Sequence, residues 1–86
     1  MKAAVFDTYV TKSDASIMHF DIVVPENTTF EVVQAYGRTY LASKGLKNLS
    51  LTTKECQFCH IEQASPELES SITTEGYAII ELGNCD

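Results

Sequence analysis

The last third of this 86-residue sequence has no lysine and no arginine: residues 55 to 86 carry seven acidic side chains, against six basic and five acidic in residues 1 to 54. Phosphate recognition rests on Lys and Arg, so a chain of net charge −6 organised this way is not expected to bind nucleic acid. Long apolar runs are missing too. The opening run, Ala3-Ala4-Val5-Phe6, stops at Asp7, far short of the apolar stretch of a signal peptide. Nothing approaches the roughly 20 apolar residues of a membrane span. A cytoplasmic protein with no membrane partner is therefore expected, with thiols kept reduced. The cysteines number three, and an odd count does not close into a disulfide framework. Internal repeats, linkers and low-complexity segments are also lacking. The length suits one compact domain over residues 1–86, a size at which a structural metal is optional.

What is present reads as alternating strands and two helices. Residues 2 to 11 and 17 to 24 are rich in β-forming side chains and are joined by Lys12-Ser13-Asp14-Ala15-Ser16, the composition of a turn, so the chain opens with a β-hairpin. Met18, Phe20, Ile22 and Val24 share one face with Ala4, Phe6, Thr8 and Val10, which makes that face the core face. The register that achieves this gathers Asp7, Tyr9, His19 and Asp21 on the other.

Thr28-Thr29-Phe30-Glu31 has the spacing of a capping box, with the Thr28 hydroxyl capping and Glu31 reaching back. Phe30, Val33, Gly37, Tyr40 and Leu41 form a buried stripe, on which Gly37 lets the helix approach the sheet, and Gly45 is the stop. Residues 48 to 55 read as a third strand, with the cysteine stretch following it. Ser65-Pro66-Glu67 starts a second helix, Gly76 ends it, and residues 77 to 82 are the most strand-like run of the chain. The order β-β-α-β-α-β, with crossovers of normal hand, predicts a two-layer α+β domain: a four-stranded mixed sheet with both helices on one face. The polar set Asp7, Tyr9, His19 and Asp21 would then lie on the open face.

Cys56-Gln57-Phe58-Cys59-His60 is the chemically loaded stretch. Covalent attachment of a c-type haem uses this spacing but needs an export route, and none is visible. A dithiol redox pair needs a thiolate near neutral pH, promoted by cations or a helix N-terminus. Here Glu55 and Glu62 flank the motif and only Lys54 and His60 oppose them. The same negative field favours a bound cation. Cys56 and Cys59 have the spacing that chelates zinc or another transition metal, and the remaining ligands would come from His60, His19 or Cys85. Adjacent Cys59 and His60 side chains ordinarily diverge, so at most one of the pair plus a distant donor is easier to build. The plainest alternative is that the cysteines are small apolar fillers, with Phe58 in the core and His60 and His19 as ordinary hydrogen-bonded residues. Asp7 and Asp21, as cross-strand neighbours, would repel, raise one another's pKa or share a cation, but solvation at a sheet edge is expected to remove most of that effect.

Val5 to Val10, Met18 to Asp21, Leu51 to Glu62 and Gly76 to Glu81 together resemble a small prokaryotic family of compact α+β proteins, classed only as a domain of unknown function. The likeness runs over essentially the whole chain, and its most specific piece is T-x-E-C-x-F-C-H-x-E, matched here from Thr53 to Glu62. The resemblance implies a single α+β domain in a bacterial cytosol. It implies no activity, substrate or ligand.

Taken together, the sequence favours a small non-enzymatic binding or regulatory module, with a metal or thiol site built from Cys56, Cys59, His60 and His19. One rival is an enzyme, either a dithiol redox protein with Cys56 as nucleophile and Cys59 as resolving thiol, or a hydrolase working through Asp7, His19 and Asp21. The other is a structural interaction module that binds a protein partner or a second copy of itself through the open sheet face or an edge strand.

Overall fold

The computed structural model describes residues 1–46, 49 and 51–85. Its elements are β1 (Lys2–Thr11), β2 (Ile17–Pro25), α1 (Phe30–Ser43), β3 (Cys56–Gln63), α2 (Pro66–Glu75) and β4 (Ala78–Gly83). The hairpin forms in the expected register: Ala4 faces Val24, Phe6 faces Ile22, Thr8 faces Phe20 and Val10 faces Met18. Between these pairs, Asp7 faces Asp21 and Tyr9 faces His19. Because side chains alternate along a strand, one register sets both faces at once.

The sheet order is β3-β1-β2-β4, and every neighbouring pair is antiparallel. This corrects the expected mixed sheet. Strand β3 does run in the same direction as β2, but β1 lies between them, so the crossover through α1 never makes a parallel pair. Strand β4 joins the opposite edge, beside β2.

The helices lie on opposite faces, which corrects the two-layer arrangement. Val33 and Leu41 of α1 are buried with Phe6, Phe20, Ile22 and Val24 on the even-numbered face. Ile72 of α2 is buried with Ala3, Val5, Val23 and Ala78 on the odd-numbered face. The physical reason is in the hairpin itself. Its odd face is apolar at one end, where Ala3, Val5 and Val23 need cover, and polar at the other, where Asp7, Tyr9, His19 and Asp21 do not. A ten-residue helix is long enough to cover only the apolar end. The polar end stays open.

Local signals hold with two exceptions. Ser65 caps α2, accepting from the Leu68 N–H at 3.2 Å, and Gly76 ends it at φ +91°. Gly37 is buried in α1, and a Cβ there would collide with Leu51 Cδ1 and stand 3.0 Å from Ile22 Cδ1, so its missing side chain is what admits the helix to the sheet. The capping box does not form. Thr28 closes a turn by donating its N–H to the Pro25 carbonyl, so the cap falls on Thr29, without a side-chain bond, and Glu31 is one position too early to reach back. The third strand also shifts. It is the Cys56–Gln63 stretch itself, because Thr52 to Glu55 fold into a turn in which Glu55 Oε1 accepts from both the Thr52 N–H and hydroxyl, at 2.8 Å each. Of the strand expected at 48 to 55, residues 48 and 50 lie outside the described residues. Among the described residues no helix is long and apolar enough to cross a membrane.

Candidate functional site

The open end of the odd face gathers the polar residues of three strands. Asp7 on β1 and Asp21 on β2 are directly opposed, and His19 is opposed to Tyr9. Tyr9 and His19 stack with ring centroids 4.1 Å apart and planes 10° from parallel, which fixes the imidazole over the sheet. His19 Nε2 then lies 3.5 Å from Asp7 Oδ1. One potential ligand atom from each of Asp7, His19 and Asp21 falls within 4.8 Å of the other two.

The two carboxylates are driven apart electrostatically. Burial, then the hydrogen bond and charge of Asp7, push Asp21 up to about 6. Asp7 is held below its ordinary value, chiefly by hydrogen bonding with Asp21 and secondarily by His19, against partial burial. Asp21 lies on the interior strand β2, between β1 and β4, and not at a sheet edge. With Asp21 ionised, its Oδ1 is a buried oxygen without a hydrogen-bond partner. A proton shared with Asp7 would satisfy it, and so would a cation.

Strand β3 contributes through a bulge. Val5 pairs with His60 and Phe6 with Phe58, which leaves Cys59 as the extra residue. The expected divergence of Cys59 and His60 is lost as a result: His60 faces the odd-face residue Val5, and its Nδ1 lies 3.2 Å from Cys59 Sγ. On its other side His60 Nε2 lies 2.8 Å from Glu62 Oε1. The Cys59 thiol lies within the field of Asp7. Partial loss of solvent, then the charge and hydrogen bonding of Asp7, then Asp21, push it above its ordinary value.

The structure does not bring Cys56 to this group. It pairs with Thr8, points into the α1-side core with no exposed surface, and its Sγ accepts from the Thr8 hydroxyl at 3.4 Å. Burial pushes its thiol upward. The two cysteines of the C-x-x-C pair thus stand on opposite faces of the sheet, a poor arrangement for chelation or for an internal disulfide. Cys85 is likewise buried on the α1 side, with its thiol on the His19 and Gly83 carbonyls at 3.3 Å each. All three cysteines are free.

Sequence reasoning assembled Asp7, Tyr9, His19 and Asp21 on one face but missed that Cys59 and His60 join them together. No pattern in the chain marks the bulge, which exists only relative to β1. The polar and apolar ends of the odd face were visible as Asp7, Tyr9, His19 and Asp21 against Ala3, Val5 and Val23, and that was the signal for α2's position.

A small antiparallel sheet carrying a helix on each face and a mixed carboxylate, imidazole and thiol cluster at its open end defines the class of the domain. The chain belongs to the family named domain of unknown function DUF2024, whose model matches residues 1–82. It is similar to protein NE1680 from Nitrosomonas europaea, solved by NMR, at 32% identity over 100% of both chains with a TM-score of 0.85. No curated protein matches it.

Proposed function

We propose that this protein is a binding module without chemistry of its own, and that its ligand is a divalent transition-metal ion, zinc in the first instance, held by Asp7, His19 and Asp21. The observation that carries this reading is the convergence of three ligand atoms within 4.8 Å, one residue of the three having a buried oxygen that lacks a partner. Two oxygens and one imidazole nitrogen suit the borderline divalent metals, with water completing the sphere. The stacked Tyr9 ring holds His19 in place, as an outer partner does for a metal-bound imidazole. A dithiol enzyme is not supported, since the two thiols are on opposite faces and both are shifted away from the thiolate. The test is calorimetric titration of metal-stripped protein with zinc, repeated on Asp21→Asn and His19→Ala. One ion per chain is expected for the parent and none for either variant. A parent that takes up no zinc, nickel or cobalt at micromolar concentrations would sink the reading.

A second reading is favoured by one separate observation. Strand β3 is an edge strand without Lys, Arg or Pro, and it leaves Phe58 55% and Ile61 43% exposed on the α1 side. Edges of this kind accept another strand, here that of a second copy. Light scattering of the parent and of Phe58→Lys at matched concentration tests it. A parent of monomer mass at the highest soluble concentration removes it.

A further inference from the structure

We infer that Cys59 is a fourth ligand of the Asp7–His19–Asp21 site and selects a thiophilic metal for it over magnesium, calcium or manganese. This rests on the metal reading above and gives that site its ligand class.

Three independent features of β3 lead to Cys59. First, the bulge falls between Val5 and Phe6, next to the regular pair Asp7 with Gln57, and its extra residue is Cys59, flanked by the pairs Val5 with His60 and Phe6 with Phe58. In a regular strand Cys59 and His60 would project from opposite faces. Here both stand on the face that carries the carboxylates, and bulges re-aim side chains in this way next to functional sites. Second, Asp7 is the member common to both halves of the cluster: His19 and Asp21 converge on it from β2, and Cys59, on the same face of β3, interacts with it electrostatically. The Cys59 side chain is exposed, and its sulfur stands outside the group of three donor atoms within 4.8 Å, so ligation requires it to turn inward. Third, the thiol has a built partner. His60 Nε2 lies 2.8 Å from Glu62 Oε1, and its Nδ1 lies 3.2 Å from Cys59 Sγ. That arrangement holds the sulfur on the carboxylate-bearing face.

The surroundings also discriminate between roles for the thiol. Carboxylates around a thiol oppose an uncompensated thiolate, so a free nucleophile is poorly served here. A divalent ion reverses the local field and takes the same carboxylates as co-ligands. The donor set becomes two oxygens, one nitrogen and one sulfur, which matches zinc, cadmium and cobalt and mismatches the hard cations that bind through oxygen alone.

Cobalt(II) is the probe, because sulfur ligation adds a near-ultraviolet charge-transfer band to the visible ligand-field bands of any cobalt site. Metal-stripped full-length protein titrated with cobalt is expected to show both signals at one equivalent. Cys59→Ser, an exposed substitution that leaves the core intact, is expected to keep the visible bands, lose the charge-transfer band and bind cadmium roughly ten-fold more weakly. Asp21→Asn is expected to lose both signals. If the parent binds cobalt without the charge-transfer band, Cys59 is not a ligand and the three-ligand reading survives alone. A charge-transfer band that persists in Asp21→Asn would place the sulfur-bound metal elsewhere and overturn the shared site. A parent that binds no cobalt overturns both readings together.

Discussion

Asp7 and Asp21 are directly opposed across the β1–β2 ladder, and their surroundings separate them: Asp21 is pushed up to about 6 while Asp7 is held below its ordinary range. Like charges directly opposite each other on a sheet are destabilising. The hairpin carries this pair at the centre of its polar face, with His19 within 3.5 Å of Asp7. A stability penalty confined to the place where metal-type donors meet is the pattern expected of a site shaped for a ligand rather than for folding.

The penalty has a pH signature. A carboxyl group whose folded pKa is raised contributes its stability in the protonated form: fully below the ordinary value of 3.8, and progressively lost as pH rises through about 6. Asp21→Asn should therefore make the metal-free protein more stable at pH 7, by about 1 to 2 kcal/mol after solvent screening is allowed for. The advantage should shrink as pH falls through about 6 and vanish near pH 4. Urea unfolding of both proteins from pH 4 to 8 measures it. A gap that does not change with pH would show that Asp21 titrates normally.

The three thiols should behave as two classes. Cys59 is exposed, whereas Cys56 and Cys85 are buried, so alkylation of native protein under iodoacetamide should give a singly modified chain carrying the label on Cys59 by mass spectrometry. Cys56→Ala would leave the buried Thr8 hydroxyl without its sulfur acceptor. That change should lower unfolding free energy by about 1 to 3 kcal/mol with zinc binding unaltered. Native labelling at Cys56 as fast as at Cys59 would contradict the placement of the pair on opposite faces.

Helix α2 is held by a small apolar footing. Ile72 is its buried residue, against Ala3, Val5, Val23 and Ala78. Ile72→Ala should destabilise the fold by about 2 to 5 kcal/mol, and the α2 amides should lose hydrogen-exchange protection ahead of those in β1 and β2. If α2 keeps its protection in that variant, its anchorage on the odd face is misjudged.

Much of this was legible in the chain. The period-two pattern of residues 4 to 10 and 18 to 24 determines which hairpin side chains share a face, because a one-residue slip would bury Asp7 and Asp21 and expose Phe6 and Phe20. Ser65-Pro66 and Gly76 bound the second helix by local hydrogen bonding and backbone preference alone. The first helix was less legible at its start, since Thr28 was drawn into the turn after Pro25 and the cap moved on by one residue. Strand β3 was the least legible element. Its sequence alternates poorly, and as an edge strand it is mostly exposed, so it lacks the burial that writes a period into a strand.

The sequence by itself thus determined the hairpin, its register, the two faces and the polar quartet Asp7, Tyr9, His19 and Asp21, all of which follow from local periodicity and turn chemistry. Only the tertiary structure decided which edge each later strand joined, on which face each helix settled, and what the C-x-x-C-H stretch became. Those outcomes depend on contacts between residues some 50 positions apart, such as Thr8 with Cys56 and Val5 with His60. Pairing with β1 set Cys56 on the core face and Cys59 on the other by ordinary alternation, and one extra residue in β3, defined only by that pairing, brought His60 to the same face as Cys59.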